Sequence, residues 1–277
     1  MADPLRLAIG QMCSADTHGP NIATVAELAK RAAGEGADML ALPEVAGLLN
    51  GNRKATDALV GEAADDPYIV ACREQAAKHG LWIHSGSTPV RAPDGRFWNH
   101  SNLIDDQGAI RADYNKIHLF DVEIEGKVSF TESKAFAPGD RAVVVSTPWG
   151  KIGLTICYDL RFPALYRALA EAGAEVIFTP AAFTVPTGEA HWHILLRARA
   201  IETGSFVVAP AQAGHHADGR TTYGHALAIN PWGDVIADLG SAAPAIQVVD
   251  LDLREVARMR AQIPSLDHAR PFTVTHS

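Results

Sequence analysis

The stretch GLTICYDLRFPALYRALAEAGAEVIFTP, residues 153–180, sets the reading of the whole chain. An apolar run ends on a thiol, Cys157, and the polar residues Tyr158, Asp159 and Arg161 follow at once. Residues 162–172 then have the spacing of an amphipathic helix, and GAEVIFTP returns to a β-rich run. Strand, helix and strand in this order describe a βαβ unit, whose crossover helix lies outside a parallel pair. A cysteine can pack simply as a small hydrophobe. At the start of a helix, however, the dipole and a neighbouring cation favour its thiolate, the nucleophilic form.

The same pattern occurs earlier. A helix predicted over 21–37, with Asn21 as N-cap, runs into GADMLALPE (36–44), as the later helix runs into GAEVIFTPAAF (173–183). Two such units predict an α/β fold with paired, pseudo-symmetric sheets and outer helices. Chemistry in α/β folds gathers at the carboxyl ends of strands, here Glu44, Cys157 and Phe183-Thr184. Further strands are predicted at 5–12, 81–90, 205–212, 223–231 and 245–252, and helices at 66–80 and 189–203. One hairpin, 98–119, turns at Asp106-Gln107-Gly108, and another turns near Trp149-Gly150. No Ser/Gly-rich linker divides the chain, so residues 1–277 read as a single domain.

A net charge of −8 and a pI near 5.8 argue against a nucleic-acid or anionic-membrane surface. No apolar run approaches the roughly 20 residues that span a bilayer. The N-terminus MADPLRLAIGQM has acid and proline where a signal peptide carries basic charge. Three cysteines make no disulfide framework and fit a reducing cytoplasm. Cys13 and Cys72 lack the setting of Cys157 and are expected in the core.

Three further residues could share the chemistry. Lys116, in YNKIHLF, can extend its ammonium to solvent or, if buried, stabilise an oxyanion. Glu44 ends DMLALPE, and Glu132 lies in FTES. His191 and His193 form an H-x-H pair, but on a helix they point about 200° apart and cannot easily share an ion, so no metal is expected. No G-x-G-x-x-G or phosphate-binding loop is present, and no cofactor is expected.

Taken together, ALPE, YNKIHLF and GLTICYDLRFP resemble the nitrilase (carbon–nitrogen hydrolase) superfamily, and the resemblance runs from LAIGQM to the tail near RPF. It implies a four-layer α-β-β-α sandwich that dimerises into eight layers, with the C-terminal tail (about 255–277) at the subunit interface. It also implies a catalytic triad of Glu44, Lys116 and Cys157, with Glu132 in support. Cys157 would attack a carboxamide carbon, and Glu44 would act as base and then acid. Lys116 and the Tyr158 N–H would hold the oxyanion. A thioester would then hydrolyse, giving a carboxylate and ammonia.

KIHLFDVEI, AAFTVPTGEAHW and YGHALAINPWG resemble the branch holding omega-amidases and deaminated-glutathione amidases. GKVSFTESKAFAPGD leans to the first, and AQAGHHADGRTTYGH to the second. That implies a thiol amidase acting on a small α-keto-acid amide, with a nitrilase, an N-carbamoyl amino-acid hydrolase or a silent scaffold as alternatives. Arg161, four residues past the nucleophile, is expected to face the same cleft and clamp a substrate carboxylate, unless it pairs with Asp159. Phe183, Thr184 and His191 are expected to line the pocket. A homodimer or higher homo-oligomer is expected.

Overall fold

The computed structural model describes residues 4–124 and 128–276. The first half contains β1 (Leu5–Met12), α1 (His18–Gly34), β2 (Met39–Ala41), α2 (Arg53–Leu59) and α3 (Pro67–His79). It continues through β3 (Trp82–His84), β4 (Thr88–Arg91), β5 (Phe97–Ile104), β6 (Ile110–Asn115), β7 (Asp121–Ile124) and β8 (Val128–Thr131). The second half begins with β9 (Val143–Ser146), β10 (Lys151–Leu154), α4 (Pro163–Glu171), β11 (Val176–Phe178) and α5 (Val185–Thr203). Then come β12 (Phe206–Ala209), β13 (Ala211–His215), β14 (Thr221–Tyr223), β15 (Leu227–Ile229), β16 (Val235–Asp238), β17 (Ala245–Leu251) and α6 (Arg254–Gln262).

Two large sheets result. The first runs β14-β13-β1-β2-β3-β5-β4, with β17 also on β1 and β6 also on β5. The second runs β16-β15-β12-β11-β10-β9. The strand pairs β1–β2–β3 and β10–β11–β12 are parallel, as the two βαβ units require. Alternation of side chains sorts the first sheet into two faces. Leu5, Leu7, Ile9, Met39 and Ala41 meet the second sheet. Ala8, Met12 and Leu40 instead pack under α1 and α3 with Val25, Leu28, Ile69 and Cys72. The second sheet is covered by α4 and α5 through Leu165, Tyr166, Leu169, Trp192 and Leu196. Helix, sheet, sheet and helix therefore stack as α-β-β-α. His84 seals the centre by stacking on Phe178 of the opposite sheet, ring centroids 4.7 Å apart.

Local chemistry shifts several boundaries. Helix α1 starts at His18, with Thr17 in the cap position. Asn21 is not a cap: its buried side chain bonds both backbone groups of Ala15 and the carbonyl of Gly47, tying two loops together. The strand predicted at 81–90 is broken at Ser85-Gly86-Ser87 into β3 and β4. Helix α5 starts at Val185, because Pro186 suits a first helical turn. Cys13 is exposed rather than in the core, while Cys72 is buried and its thiol is pushed up to about 12 by desolvation. Among the described residues, no helix is long and apolar enough to cross a membrane. Gly126 and Lys127, in the stretch that leans to omega-amidases, lie outside the described residues, as do 1–3 and 277.

Candidate active site

Glu44, Lys116, Glu132 and Cys157 converge beyond the ends of β2, β6, β8 and β10. Each is brought in by a backbone device. Glu44 sits in the loop after β2, and Val45 beside it has φ +48, a costly value for a β-branched residue. That bend is held by the Val45 N–H donating to Ser87 Oγ and by Gly86, where a Cβ would meet Pro43 O at 1.9 Å. The Lys116 N–H donates to Asn99 O as β6 ends. Glu132 opens a short 3-10 turn, Glu132–Lys134. Cys157 opens another, Cys157–Arg161, with φ +49 and its N–H donated to Pro180 O. Strain of this kind marks sites where the surrounding structure fixes an otherwise unfavourable geometry.

The charged groups form one buried network. Lys116 Nζ lies 2.9 Å from Glu44 Oε1 and 3.1 and 2.9 Å from the two oxygens of Glu132. Asn99 Nδ2 donates to Glu44 Oε1 at 2.9 Å, and the Ala182 N–H donates to Oε2 at 2.8 Å. The Phe120 N–H fixes Glu132 Oε2 at 2.6 Å. Burial opposes the Lys116 ammonium, but the carboxylates of Glu132 and Glu44 outweigh it and hold its pKa well above the lysine range. The thiol behaves differently. Burial first, and then the Glu44 carboxylate, raise the Cys157 pKa well above the usual thiol value, against the pull of Lys116. Desolvation thus outweighs the helix-end dipole and the neighbouring cation that favour the thiolate.

Asp159 couples the two motifs. It is fully buried, accepts from Tyr114 Oη at 2.6 Å and from the Ile156 N–H at 2.9 Å, and meets the His118 N–H and Nδ1 at 3.0 and 2.7 Å. One carboxylate thus locks the segment bearing Lys116 to the turn bearing Cys157. The motif YNKIHL places Tyr114 and His118 on either side of the lysine, but nothing in the sequence paired them with Asp159. Asn99 and Gln212, which donates to Glu44 O at 2.9 Å, also carried no signal.

Above the network opens a cavity of about 750 Å³. Glu44, Lys116, Glu132 and Cys157 line it with Tyr158, Phe183 and Thr184, as expected from the sequence. Phe120, Phe130 and Phe136 add aromatic walls, and Arg53, Lys134 and Arg220 bring positive charge. Arg161 and His191 do not line it. Arg161 stacks over Phe183, 5.6 Å from its centroid, and its Nη2 lies 3.3 Å from His191 Nδ1. The reason is the helix type. At 3.0 residues per turn, a residue four positions on is rotated about 120° away, not returned to the same face. Nor does Arg161 pair with Asp159, whose bonds go elsewhere.

Fold and site define a hydrolase acting on the carbon–nitrogen bond of amides, and the chain belongs to the Carbon-nitrogen hydrolase family, whose profile matches residues 6–261. It is 40% identical to a deaminated glutathione amidase of Yersinia enterocolitica, covering 95% of this chain and 92% of that protein. It is also 40% identical to a deaminated glutathione amidase of Homo sapiens, covering 96% of this chain and 82% of that one. Among solved structures it resembles the C. elegans NitFhit protein with a TM-score of 0.90 and 38% identity, over 98% of this chain. It spans 66% of that longer protein.

Proposed function

We propose that the enzyme hydrolyses deaminated glutathione, the tripeptide whose glutamyl amino group is replaced by a keto oxygen, at the amide joining the keto acid to cysteinylglycine. The convergence of Glu44, Lys116 and Glu132 beside Cys157 supports the amide chemistry, and 40% identity to deaminated glutathione amidases over nearly the whole chain supports the substrate. Cys157 Sγ forms the bond to the amide carbon while Glu44 takes its proton. Lys116 stabilises the oxyanion together with the Tyr158 N–H. That N–H is given to no acceptor among the described residues, whereas its neighbours bond Pro180 O and Ile156 O. Glu132 holds the lysine. The carbon–nitrogen bond breaks as the proton passes from Glu44 to the leaving amine, which is a dipeptide here and ammonia for a primary amide. Water, deprotonated by Glu44, then adds to the thioester, and the thiol leaves with its proton restored.

The cavity supports the larger substrate. Deaminated glutathione carries a carboxylate at each end, and about 750 Å³ accommodates a tripeptide-sized ligand. Arg53, Lys134 and Arg220 are the cations placed to meet those carboxylates, in place of Arg161. Arg220 stacks over Phe130 at 5.7 Å and is steadied by Asp218. The three free cysteines support a reducing, cytoplasmic setting. The exposed residues Ile194, Ile201 and Trp232 support pairing of two chains across α5, with the C-terminal tail at that interface and the two sandwiches forming eight layers. Kinetics on deaminated glutathione, α-ketoglutaramate, N-carbamoyl amino acids and nitriles test the assignment. The expected result is the highest kcat/KM on deaminated glutathione; a preference for nitriles or N-carbamoyl substrates contradicts it.

A further inference from the structure

Outside the amide cavity, one group of side chains among the described residues has the composition of a metal centre. His193 projects from α5, His225 lies between β14 and β15, and Asp238 ends β16. His193 Nε2 lies 3.1 Å from Asp238 Oδ2, and His225 Nδ1 lies 2.9 and 3.2 Å from the two oxygens of Asp238. One donor atom from each residue falls within 4.8 Å of the others. In a tetrahedron of donors held at about 2.0–2.2 Å, neighbouring donors lie roughly 3.3–3.6 Å apart, so both histidines need to draw back from Asp238 by only a few tenths of an ångström to admit an ion.

The ligands are oriented by contacts of their own. His225 has φ +55, a left-handed conformation seldom adopted by a residue with a Cβ. Its N–H donates to Gly240 O at 2.6 Å, its carbonyl accepts from Trp192 Nε1 at 2.8 Å, and its ring stacks on Tyr223 with centroids 4.4 Å apart. Asp238 Oδ1 accepts the Gly240 N–H at 2.9 Å. These contacts hold the His225 ring and the Asp238 carboxylate in place. The three side chains are 27–34% exposed, which leaves water access to a further coordination position.

We propose that His193, His225 and Asp238 bind one zinc-class divalent cation, with water completing a tetrahedron. Two imidazoles and one carboxylate suit zinc or cobalt, whereas magnesium and calcium prefer sets of oxygen ligands. The histidines at 191 and 193 diverge on the helix, as their spacing requires. His191 meets Arg161, while His193 finds partners that lie far away in sequence. None of the three ligands lines the amide cavity. Trp192, which bonds His225 O, packs against Phe183 of the cavity wall at 4.6 Å between centroids. A bound ion would tie α5, the β14–β15 turn and β16 together and brace that wall.

The test uses the full chain carrying Cys157→Ala, so that the active-site thiol cannot compete for the ion. Zinc chloride is titrated calorimetrically in chelator-free buffer, and cobalt chloride is followed by visible absorption. We expect one ion per chain, the intense absorption of tetrahedral cobalt, and a raised Tm with zinc. His193→Asn, on the partly exposed helix face, and His225→Asn, which tolerates the left-handed backbone, should each weaken binding at least tenfold. Absence of binding in the parent, or undiminished binding in both variants, overturns the proposal.

Discussion

Cys157 sits where its own ionisation is discouraged. Buried beside Glu44, its thiol pKa is pushed well above the usual value, so the proposed mechanism requires Glu44 to remove that proton as attack occurs. Glu44→Gln preserves shape while removing the base. We expect kcat to fall at least 10²-fold together with a lower Tm, because the new amide NH2 must face either Lys116 and Asn99 or the Ala182 N–H, read from steady-state kinetics and thermal melts. Lys116→Met should behave differently. It removes the oxyanion's cation and also leaves Glu44 and Glu132 buried without their shared counter-charge. A loss of roughly 10²–10³-fold in kcat should therefore come with a destabilisation of about 3–5 kcal/mol. A Lys116→Met variant of unchanged Tm would show the pair to be more solvated than the structure gives. Asp159→Asn should lower kcat without touching the substrate, because its bonds set the distance between the lysine segment and the cysteine turn. An Asp159→Asn enzyme of normal kcat would remove that coupling from the account.

At the scale of elements, β3 carries a pH dependence. Burial lowers the His84 pKa to about 3 from an ordinary 6.5, so between those values the unfolded chain binds the extra proton. Stability from this group is complete above about pH 6.5 and is lost as pH falls towards 3. At pH 5 the loss is on the order of 2 kcal/mol. His84→Phe, which keeps the stack on Phe178, should shrink the fall in Tm between pH 7 and pH 5 by about 4 °C or more. His100 and His216, also lowered by burial, will retain part of the acid sensitivity. Equal falls in parent and variant would remove His84 from the account. Elements with a clear period were legible in sequence, such as β1 and the two βαβ units. The meeting of Glu44, Lys116 and Cys157 was legible only from ALPE, YNKIHLF and GLTICYDLRFP taken together, through their resemblance to the nitrilase superfamily. What escaped was set by long-range or helix-type geometry. Asn21 lies inside α1 and spends its side chain on two loops, the strand at 81–90 was broken to hold Val45, and a 3-10 turn swung Arg161 out of the cavity.

For the whole molecule, the outward face of α5 is the feature one chain leaves unsatisfied. Trp192, Leu196 and Ala200 face inward, while Ile194 is 69% and Trp232 57% exposed, with Ile201 on the same side. The apolar residues of α4 are placed differently: Leu165, Tyr166 and Leu169 are spent on the chain's own core. Isolated exposed apolar residues are ordinary, but a helix face flanked by Arg197 has the composition of an interface. Light scattering at micromolar concentration should give at least twice 29.5 kDa, and Ile194→Asp should shift the protein towards monomer. A monomer in the parent protein would contradict the pairing.

In the proposed mechanism Cys157 alone forms the acyl-enzyme. Its most direct test is mass spectrometry of enzyme quenched in acid during turnover of deaminated glutathione, with Cys13→Ala, Cys72→Ala and Cys157→Ala in parallel. We expect a ketoglutaryl adduct on the peptide bearing Cys157, present in the first two variants and absent, along with turnover, in the third. Near-normal turnover by Cys157→Ala, or an adduct carried by another residue, would contradict it.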